Sequence, residues 1–251
     1  MPTTVQFIGG PTALLDLGGV RFLTDPTFDR PGDHPIGNRV QVKLIGPALG
    51  PDELGPVDAV LLSHDQHPDN LDDLGREYLQ RAPLVLGTAG TAERIGGPAR
   101  ELPLWQSVTV GDVRVTGVPA RHGPMGSEYL TGEVRGFVLT GPDRPTVYVS
   151  GDNASLGIVQ EVADNFGPID IAVLFGGRGR STLMDAYLTI GADQMARAAD
   201  ILEARIVVPV HVDGWGHFTE DRSAVPAAFA KRGLSDRLVM PSPGDVVILG
   251  E

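Results

Sequence analysis

The stretch DAVLLSHDQHPDNLDD, residues 58–73, places a short apolar run directly before a cluster of histidines, carboxylates and an asparagine. Residues 59–62 are apolar without alternation, which is typical of a short buried strand. Pro68 and its polar neighbours then end that strand. Because open α/β sheets collect their ligands where strands end, the stretch predicts the start of a metal site at a sheet edge.

The segment after this cluster is predicted to be helical. Leu71, Leu74 and Tyr78 recur at the spacing of one helix face, and the acidic residues 72 and 73 suit a first turn. Asn70 therefore has two interpretations from the sequence, one as a metal ligand and one as the ordinary cap of this helix.

Length and composition favour one domain with a sizeable core. The chain has 251 residues, 41% of them hydrophobic, and no linker-like segment, so we expect a single α/β domain over residues 1–251. The sequence contains no cysteine, which excludes thiolate nucleophiles and cysteine-bound zinc. Any metal must therefore be held by His, Asp, Glu or Asn.

Charge and the N-terminal residues bear on partners and compartment. The net charge is −12 and no block of Lys or Arg occurs, which disfavours nucleic acid and anionic membranes as partners. Residues 1–10 lack the pattern of a signal peptide, and no apolar run approaches the roughly 20 residues of a membrane span. We expect a cytoplasmic protein with a small-molecule substrate, and a homo-oligomer is left open.

The rest of the chain is predicted to alternate between strands and helices. Strands are expected at residues 5–8, 13–17, 20–23, 84–86, 136–140, 146–150, 169–175, 206–210 and 246–249, with two more in 108–118. Helices are expected at residues 91–95, 155–165, 192–202 and 223–231. Residues 28–56, rich in Gly, Pro and Asp, are predicted to form a long loop of the kind that binds ligands or covers sites. Two sheets with helices outside is the simplest packing.

Four predicted strands end in residues of the types that bind metals. These are residues 64–70, His122, Asp152 and His211. A single histidine or aspartate after a strand is usually a turn residue or a satisfied polar group. Four such strand ends together favour a site for a divalent transition metal, which would acidify a water for hydrolysis. Asp25, which follows an earlier strand, has two interpretations: it supports the ligands from behind, or it is a simple turn residue.

These segments resemble the metallo-β-lactamase superfamily, and more narrowly its branch of L-ascorbate-6-phosphate lactonase-like and N-acyl-phosphatidylethanolamine phospholipase D-like hydrolases. The similar segments are LTDP (23–26), LSHD (62–65), PARH (119–122), SGD (150–152), PVH (209–211) and WGHFTE (215–220). They occur in the order of the family over nearly the whole chain. The resemblance implies an α/β fold, a four-layer αββα sandwich, with the site at the shared edge of its two sheets.

The first metal motif departs from the family pattern His-x-His-x-Asp-His. Here the run is HDQHPDN, residues 64–70. Aligning on Asp69 keeps His67-x-Asp69 and puts Asn70 where the last histidine belongs. His64, or its neighbour Asp65, then serves as the first ligand through a one-residue shift.

The resemblance implies two ion positions for Zn or Mn, filled by one or two ions. The first would be held by His64 (or Asp65), His67 and His122, with Asp152 as a bridge. The second would be held by Asp69, Asp152 and His211, with Asn70 as a weak ligand. Because a neutral amide is a poorer ligand than imidazole for zinc-like ions, we expect the first position to bind more tightly.

The expected activity is metal-dependent hydrolysis of an ester, lactone or phosphodiester bond in a small substrate. Asp69 would orient or deprotonate the water, and His217 would donate to the leaving group or serve only as a structural residue. Arg178 and Arg180 are candidates to hold an anionic substrate group, and solvated loop arginines are the alternative. The competing hypothesis, motivated by Gln66 and Asn70, is a catalytically impaired member that acts as a binding or regulatory protein.

Overall fold

Two β-sheets pack face to face in the computed structural model, which describes residues 2–250. The strands are β1 (Thr3–Gly9), β2 (Thr12–Leu17), β3 (Val20–Thr24), β4 (Gly32–Ile36), β5 (Arg39–Lys43), β6 (Ala59–Leu61), β7 (Val85–Gly87), β8 (Ala99–Glu101), β9 (Ser107–Val110), β10 (Val113–Ala120), β11 (Val134–Thr140), β12 (Val147–Val149), β13 (Ile171–Phe175), β14 (Ile206–Val210) and β15 (Val246–Gly250). The helices are α1 (Asp73–Leu79), α2 (Ala89–Ile95), α3 (Glu128–Thr131), α4 (Leu156–Phe166), α5 (Ala192–Ile201) and α6 (Ala224–Lys231), with one 3₁₀ turn at Ser235–Arg237.

Each sheet changes from antiparallel to parallel pairing along its width. The first sheet has the order β15-β1-β2-β3-β6-β7-β8, and its strands from β3 to β8 are parallel. The second has the order β14-β13-β12-β11-β10-β9, and β12, β13 and β14 are parallel. Parallel strands end at the same edge of a sheet, so the loops after them gather there.

Three hydrophobic clusters divide the molecule into four layers. One cluster lies between the two sheets and includes Phe7, Phe22 and Phe137. A second joins the outer face of the second sheet to α4, α5 and α6, and a third joins the first sheet to α1. The prediction of two sheets with helices outside, and of a four-layer αββα sandwich, is confirmed.

The prediction of a long loop over residues 28–56 is wrong in one part, because this segment contains a two-stranded hairpin. Strands β4 and β5 pair antiparallel from Gly32 opposite Lys43 to Ile36 opposite Arg39. Gly and Pro in this segment are typical of loops, and the local alternation is too short to stand out. Strand β8 and the short helix α3 were also not predicted, whereas the other predicted strands and helices are present within a few residues of their expected bounds.

No helix within residues 2–250 is long and apolar enough to cross a membrane.

Candidate metal centre

The ligand-type residues predicted from the sequence meet at one edge of the sandwich. The segment after β6 contributes His64, His67 and Asp69, and β10 is followed by His122. Asp152 follows β12 and His211 follows β14, two strands of the parallel part of the second sheet. The turns after these strands therefore bring side chains from both sheets together, as strand ends in α/β folds commonly do.

Two of these turns have special backbone geometry. His211 has φ +56°, in the left-handed region that costs energy for a residue with a side chain, and its N–H donates to Gly10 O at 2.7 Å. Gly151 has φ +57°, and a Cβ there would lie 2.6 Å from Arg135 O. Only glycine fits at position 151 without strain, so the turn that carries Asp152 is sterically specified.

His64, His67 and His122 form the first group of ligands. All three are buried, and one ring nitrogen of each lies within 4.8 Å of those of the others. His64 Nε2 is 3.0 Å from His67 Nδ1. Two atoms bound to one zinc ion at about 2.0–2.1 Å stand ~3.3 Å apart in a tetrahedral arrangement, so the spacing suits two ligands of one ion.

Asp69, Asp152 and His211 form the second group, and their ligand atoms also lie within 4.8 Å of one another. Asp152 lies between the two groups, since its Oδ2 is 3.4 Å from His122 Nδ1 and its Oδ1 is 3.2 Å from His211 Nδ1. His211 Nε2 is 3.2 Å from Asp69 Oδ2. The Asp152 carboxylate is therefore within reach of both groups.

Buried polar atoms without hydrogen-bond partners test whether a cation fits here. Within residues 2–250 they include both carboxylate oxygens of Asp152, Oδ1 of Asp69 and both ring nitrogens of His211. Buried polar atoms are nearly always satisfied by hydrogen bonds or by metal coordination. The donor set of imidazole and carboxylate, together with these unpartnered atoms, therefore fits a divalent transition metal.

Burial and neighbouring charges tune the protonation of both groups. Burial lowers the pKa of His67, and lowers those of His64 and His122 well below the usual value. These imidazoles are therefore neutral, which is the form that binds metal. Burial opposes the ionisation of Asp69, but His217 and His211 hold the pKa of that carboxyl well below its usual value.

The pKa values of Asp152 and His211 are both raised, for different reasons. Burial raises the pKa of Asp152 to about 6. Although burial favours the neutral ring, the Asp152 and Asp69 carboxylates raise the pKa of His211 to about 9. The second group is therefore held together by charge, whereas the first consists of neutral imidazoles.

Asp25 lies behind the ligands, as one of the two sequence interpretations expected. Its carboxylate is buried and accepts hydrogen bonds from the Ser63 N–H at 2.6 Å, from Ser63 Oγ at 2.5 Å and from Asn70 Nδ2 at 3.0 Å. Ser63 Oγ is also 2.9 Å from His64 Nδ1. Asp25 thus orients both ends of the motif, and supporting contacts of this kind fix ligand geometry.

Asn70 is not the helix cap, so that alternative is wrong. Asp72 is the N-cap of α1, and its side chain accepts from the Gly75 N–H. Asn70 is instead fully buried and turned to Asp25, while its Oδ1 has no hydrogen-bond partner within the described residues.

The alternative of Asp65 as the first ligand is also wrong. Its carboxylate faces away from the histidines and makes two hydrogen bonds to Arg94, at 2.6 and 2.8 Å, and one to Thr91 Oγ1. A forked arginine–carboxylate pair of this kind is strong and directional. His64, and not Asp65, therefore belongs to the first group of ligands.

His217 lies beside the second group without belonging to it. Its Nε2 is 3.1 Å from Asp69 Oδ2, and its side chain is partly exposed to the cavity. The imidazole therefore stands between Asp69 and the space that a substrate would enter.

A cavity with a volume of about 80 Å³ opens over both ligand groups. Arg180 lines it, whereas Arg178 does not; Arg178 pairs with Glu220 at 3.0 Å and lies over the Tyr187 ring at 4.2 Å. Arg39 and Gln41 of the hairpin also line the cavity. Sequence reasoning missed both, because the hairpin itself was not predicted.

The chain is similar to known proteins along most of its length. The family model of the β-lactamase superfamily domain matches residues 20–212. A metal-dependent hydrolase of Pyrococcus furiosus is 27% identical over 247 residues, which cover 96% of this chain and 97% of that protein. A possible metal-dependent hydrolase from Veillonella parvula has the same fold, with a TM-score of 0.87 at 20% identity over 99% of this chain and 100% of that one. The isothiocyanate hydrolase from Delia radicum gut bacteria gives a TM-score of 0.84 at 21% identity, over 98% of this chain and 99% of that one.

The chain belongs to the β-lactamase superfamily. Its two ligand groups and the relatives along its full length agree on a metal-dependent hydrolase, so the predicted enzyme class is confirmed.

Proposed function

We propose that the protein hydrolyses an ester, lactone or phosphodiester bond of a small anionic substrate, with one or two Zn or Mn ions at the two ligand groups. The observation that carries the proposal is the position of Asp152, with His122 on one side and His211 on the other, and no hydrogen-bond partner for either of its oxygens within residues 2–250. Within the superfamily we assign the chain to the lactonase-like and phospholipase D-like branch, on the order of its segments LTDP (23–26), PARH (119–122), SGD (150–152) and WGHFTE (215–220), although its HDQHPDN run departs from the family pattern.

The chain's own residues divide the work of catalysis. A divalent ion held here would polarise the substrate oxygen and lower the pKa of a bound water to near 7. His217 and His211 hold the pKa of Asp69 well below its usual value, and its Oδ1 has no hydrogen-bond partner within residues 2–250, so this carboxylate can orient the attacking water. His217 Nε2 lies 3.1 Å from Asp69 Oδ2 and the ring faces the cavity, so His217 is placed to donate a proton to the leaving group.

The two ligand groups are expected to differ in affinity. The first offers three neutral imidazoles, whereas the second offers two carboxylates, one imidazole and the neighbouring amide of Asn70. Imidazole suits zinc-like ions better than an amide does. We therefore expect the first ion to be retained through purification more firmly than the second.

The test combines metal analysis with a substrate panel. The full chain is stripped with a chelator, reloaded with Zn or Mn, and assayed on a lactone, a phosphodiester and a thioester. Asp152→Ala is expected to abolish turnover and to lower the metal content, whereas Asp164→Ala, an exposed carboxylate on α4, leaves both unchanged.

The competing hypothesis is a binding or regulatory protein. It is motivated by Asn70, whose amide donates to Asp25 in the position of a family histidine. Metal-loaded protein that turns over no member of the panel, and yet keeps its metal, would favour this alternative over hydrolysis.

A further inference from the structure

One face of strand β5 is polar and turned inwards. Arg39, Gln41 and Lys43 alternate with Val40 and Val42, which are exposed. In a strand, alternate residues share a face, so the inward face of the hairpin is the polar one. Such a face needs partners beneath it.

Lys43 has its partner within the protein, and Arg39 and Gln41 face the cavity. Lys43 Nζ is 2.8 Å from Asp72 Oδ2, and both side chains are buried. Gln41 lines the cavity, and its Oε1 is buried without a hydrogen-bond partner within the described residues. The face is thus anchored at one end and presents unused polar groups to the cavity at the other.

Arg39 differs from the other two arginines near the site in having no carboxylate. Its Nη1 donates to Thr182 Oγ1 at 3.2 Å, and within residues 2–250 no carboxylate lies within 4.0 Å of its guanidinium. Arg180 is tied to Asp185 at 2.7 Å, and Arg178 is paired outside the cavity. Arg39 is therefore the cavity cation whose charge is not already neutralised by an ion pair.

Arg39 lines the same cavity as the ligand residues His67 and Asp69. A group bound by Arg39 there would consequently lie in the same cavity as the metal ligands.

We propose that Arg39 is a specificity-determining residue, which binds a carboxylate or phosphate group of the substrate by forked, charge-assisted hydrogen bonds. The preferred substrate is then an anion whose charged group lies a short distance from the bond to be cleaved. A cavity of about 80 Å³ admits only a small group, because one water already needs ~10–15 Å³ on this measure. This inference rests on the proposed hydrolase function.

The kinetic test uses two esters that differ in one charge. The metal-loaded full chain is assayed with mono-4-nitrophenyl succinate and with its methyl ester, which has the same leaving group. Arg39→Gln is expected to raise KM for the anionic ester about 10- to 100-fold, the range for one charge-assisted hydrogen bond, with kcat and the methyl ester little changed. Arg39→Lys should recover part of the loss, because it keeps the charge without the fork.

Arg30→Gln is the matched control, since Arg30 is exposed and does not line the cavity. An equal rise in KM for both esters, or no change in Arg39→Gln, overturns the role of Arg39.

A binding experiment separates failure of this inference from failure of the proposed function. If the wild-type chain hydrolyses neither ester, the function proposal loses its support, and Arg39 is then tested by calorimetric titration with succinate and with inorganic phosphate. Weaker binding of either anion in Arg39→Gln but not in Arg30→Gln supports the inference. Equal binding in all three proteins, or no binding by the wild type, overturns it.

Discussion

The buried ion pair between Lys43 and Asp72 predicts an asymmetric response to mutation. Asp72 receives four donors, from the Gly75 and Phe28 N–H groups to Oδ1 and from the Asp29 N–H and Lys43 Nζ to Oδ2, at 2.8–2.9 Å. The only carboxylate paired with Lys43 within residues 2–250 is Asp72. Asp72 therefore keeps other hydrogen-bond donors when Lys43 is removed, whereas Lys43 keeps no counter-charge when Asp72 is removed.

Lys43→Met leaves the carboxylate of Asp72 with three backbone donors. It removes one charge-assisted hydrogen bond, worth about 1.5–3 kcal/mol, and keeps an apolar stem in the same space. We expect the free energy of unfolding to fall by about 1–2 kcal/mol. Asp72→Asn instead leaves a buried ammonium without a counter-charge, which costs about 3–5 kcal/mol, and its amide nitrogen would replace the oxygen that accepts from the Asp29 N–H.

The assay is equilibrium unfolding in urea, with the fluorescence of the two tryptophans as the probe. The urea concentration at the unfolding midpoint should be highest for the wild type, lower for Lys43→Met and lowest for Asp72→Asn, with similar denaturant slopes. The double variant should be more stable than Asp72→Asn alone, because it no longer buries the ammonium. Arg81→Met, which breaks an exposed pair with Asp52, should change stability by less than about 1 kcal/mol. If Lys43→Met destabilises as much as Asp72→Asn, the reasoning is refuted.

Three further predictions concern packing, the Asp65 network and metal loading. Gly75→Ala should destabilise by at least about 1–3 kcal/mol, because its Cβ would lie 1.9 Å from a backbone carbonyl oxygen; urea unfolding measures this. Arg94→Leu should destabilise by about 1.5–3 kcal/mol in the same assay, because it removes two hydrogen bonds from the buried carboxylate of Asp65. With one equivalent of metal, His122→Ala should lose most of the bound ion in mass-spectrometric metal analysis, whereas Asp69→Ala should keep it.

Each of these predictions has a control in the chain. Gly157→Ala lies in α4 with its nearest contact at 3.6 Å and should be neutral or slightly stabilising. Arg205→Leu breaks a surface ion pair and should matter little. Equal losses in a variant and its control would contradict the packing and network predictions. An Asp69→Ala protein that loses the first ion as readily as His122→Ala would contradict the order of loading.

The fold could be predicted from the sequence because its core strands are short, continuously apolar and followed by polar breakers. Residues 59–62 show this pattern before His64, and residues 206–210 show it before His211. Strands of this kind are buried on both faces, and their ends are easy to locate. The ligand residues follow the strand ends directly, so the sequence order already indicates which side chains meet.

Which side chain of the altered motif faces the site could not be decided by the same reasoning. His64 and Asp65 are adjacent, and a one-residue shift exchanges their directions. The choice is made by groups distant in the chain, because Arg94 and Thr91 hold Asp65, while Asp25 holds the Ser63 hydroxyl that contacts His64. The cap of α1 is likewise decided by tertiary contacts, since Asp72 must also receive Lys43.

The exposure pattern of the hairpin is inverted relative to an ordinary surface strand. Val40 is 54% exposed, whereas Lys43 is 3% exposed, so the residue that hydropathy assigns to solvent is inside. This arrangement is stable only where buried charges find partners, and Asp72 supplies one for Lys43. No carboxylate within residues 2–250 does the same for Arg39. A local rule that is broken without an internal compensation marks a functional position, so Arg39 is assigned to the substrate and not to the fold.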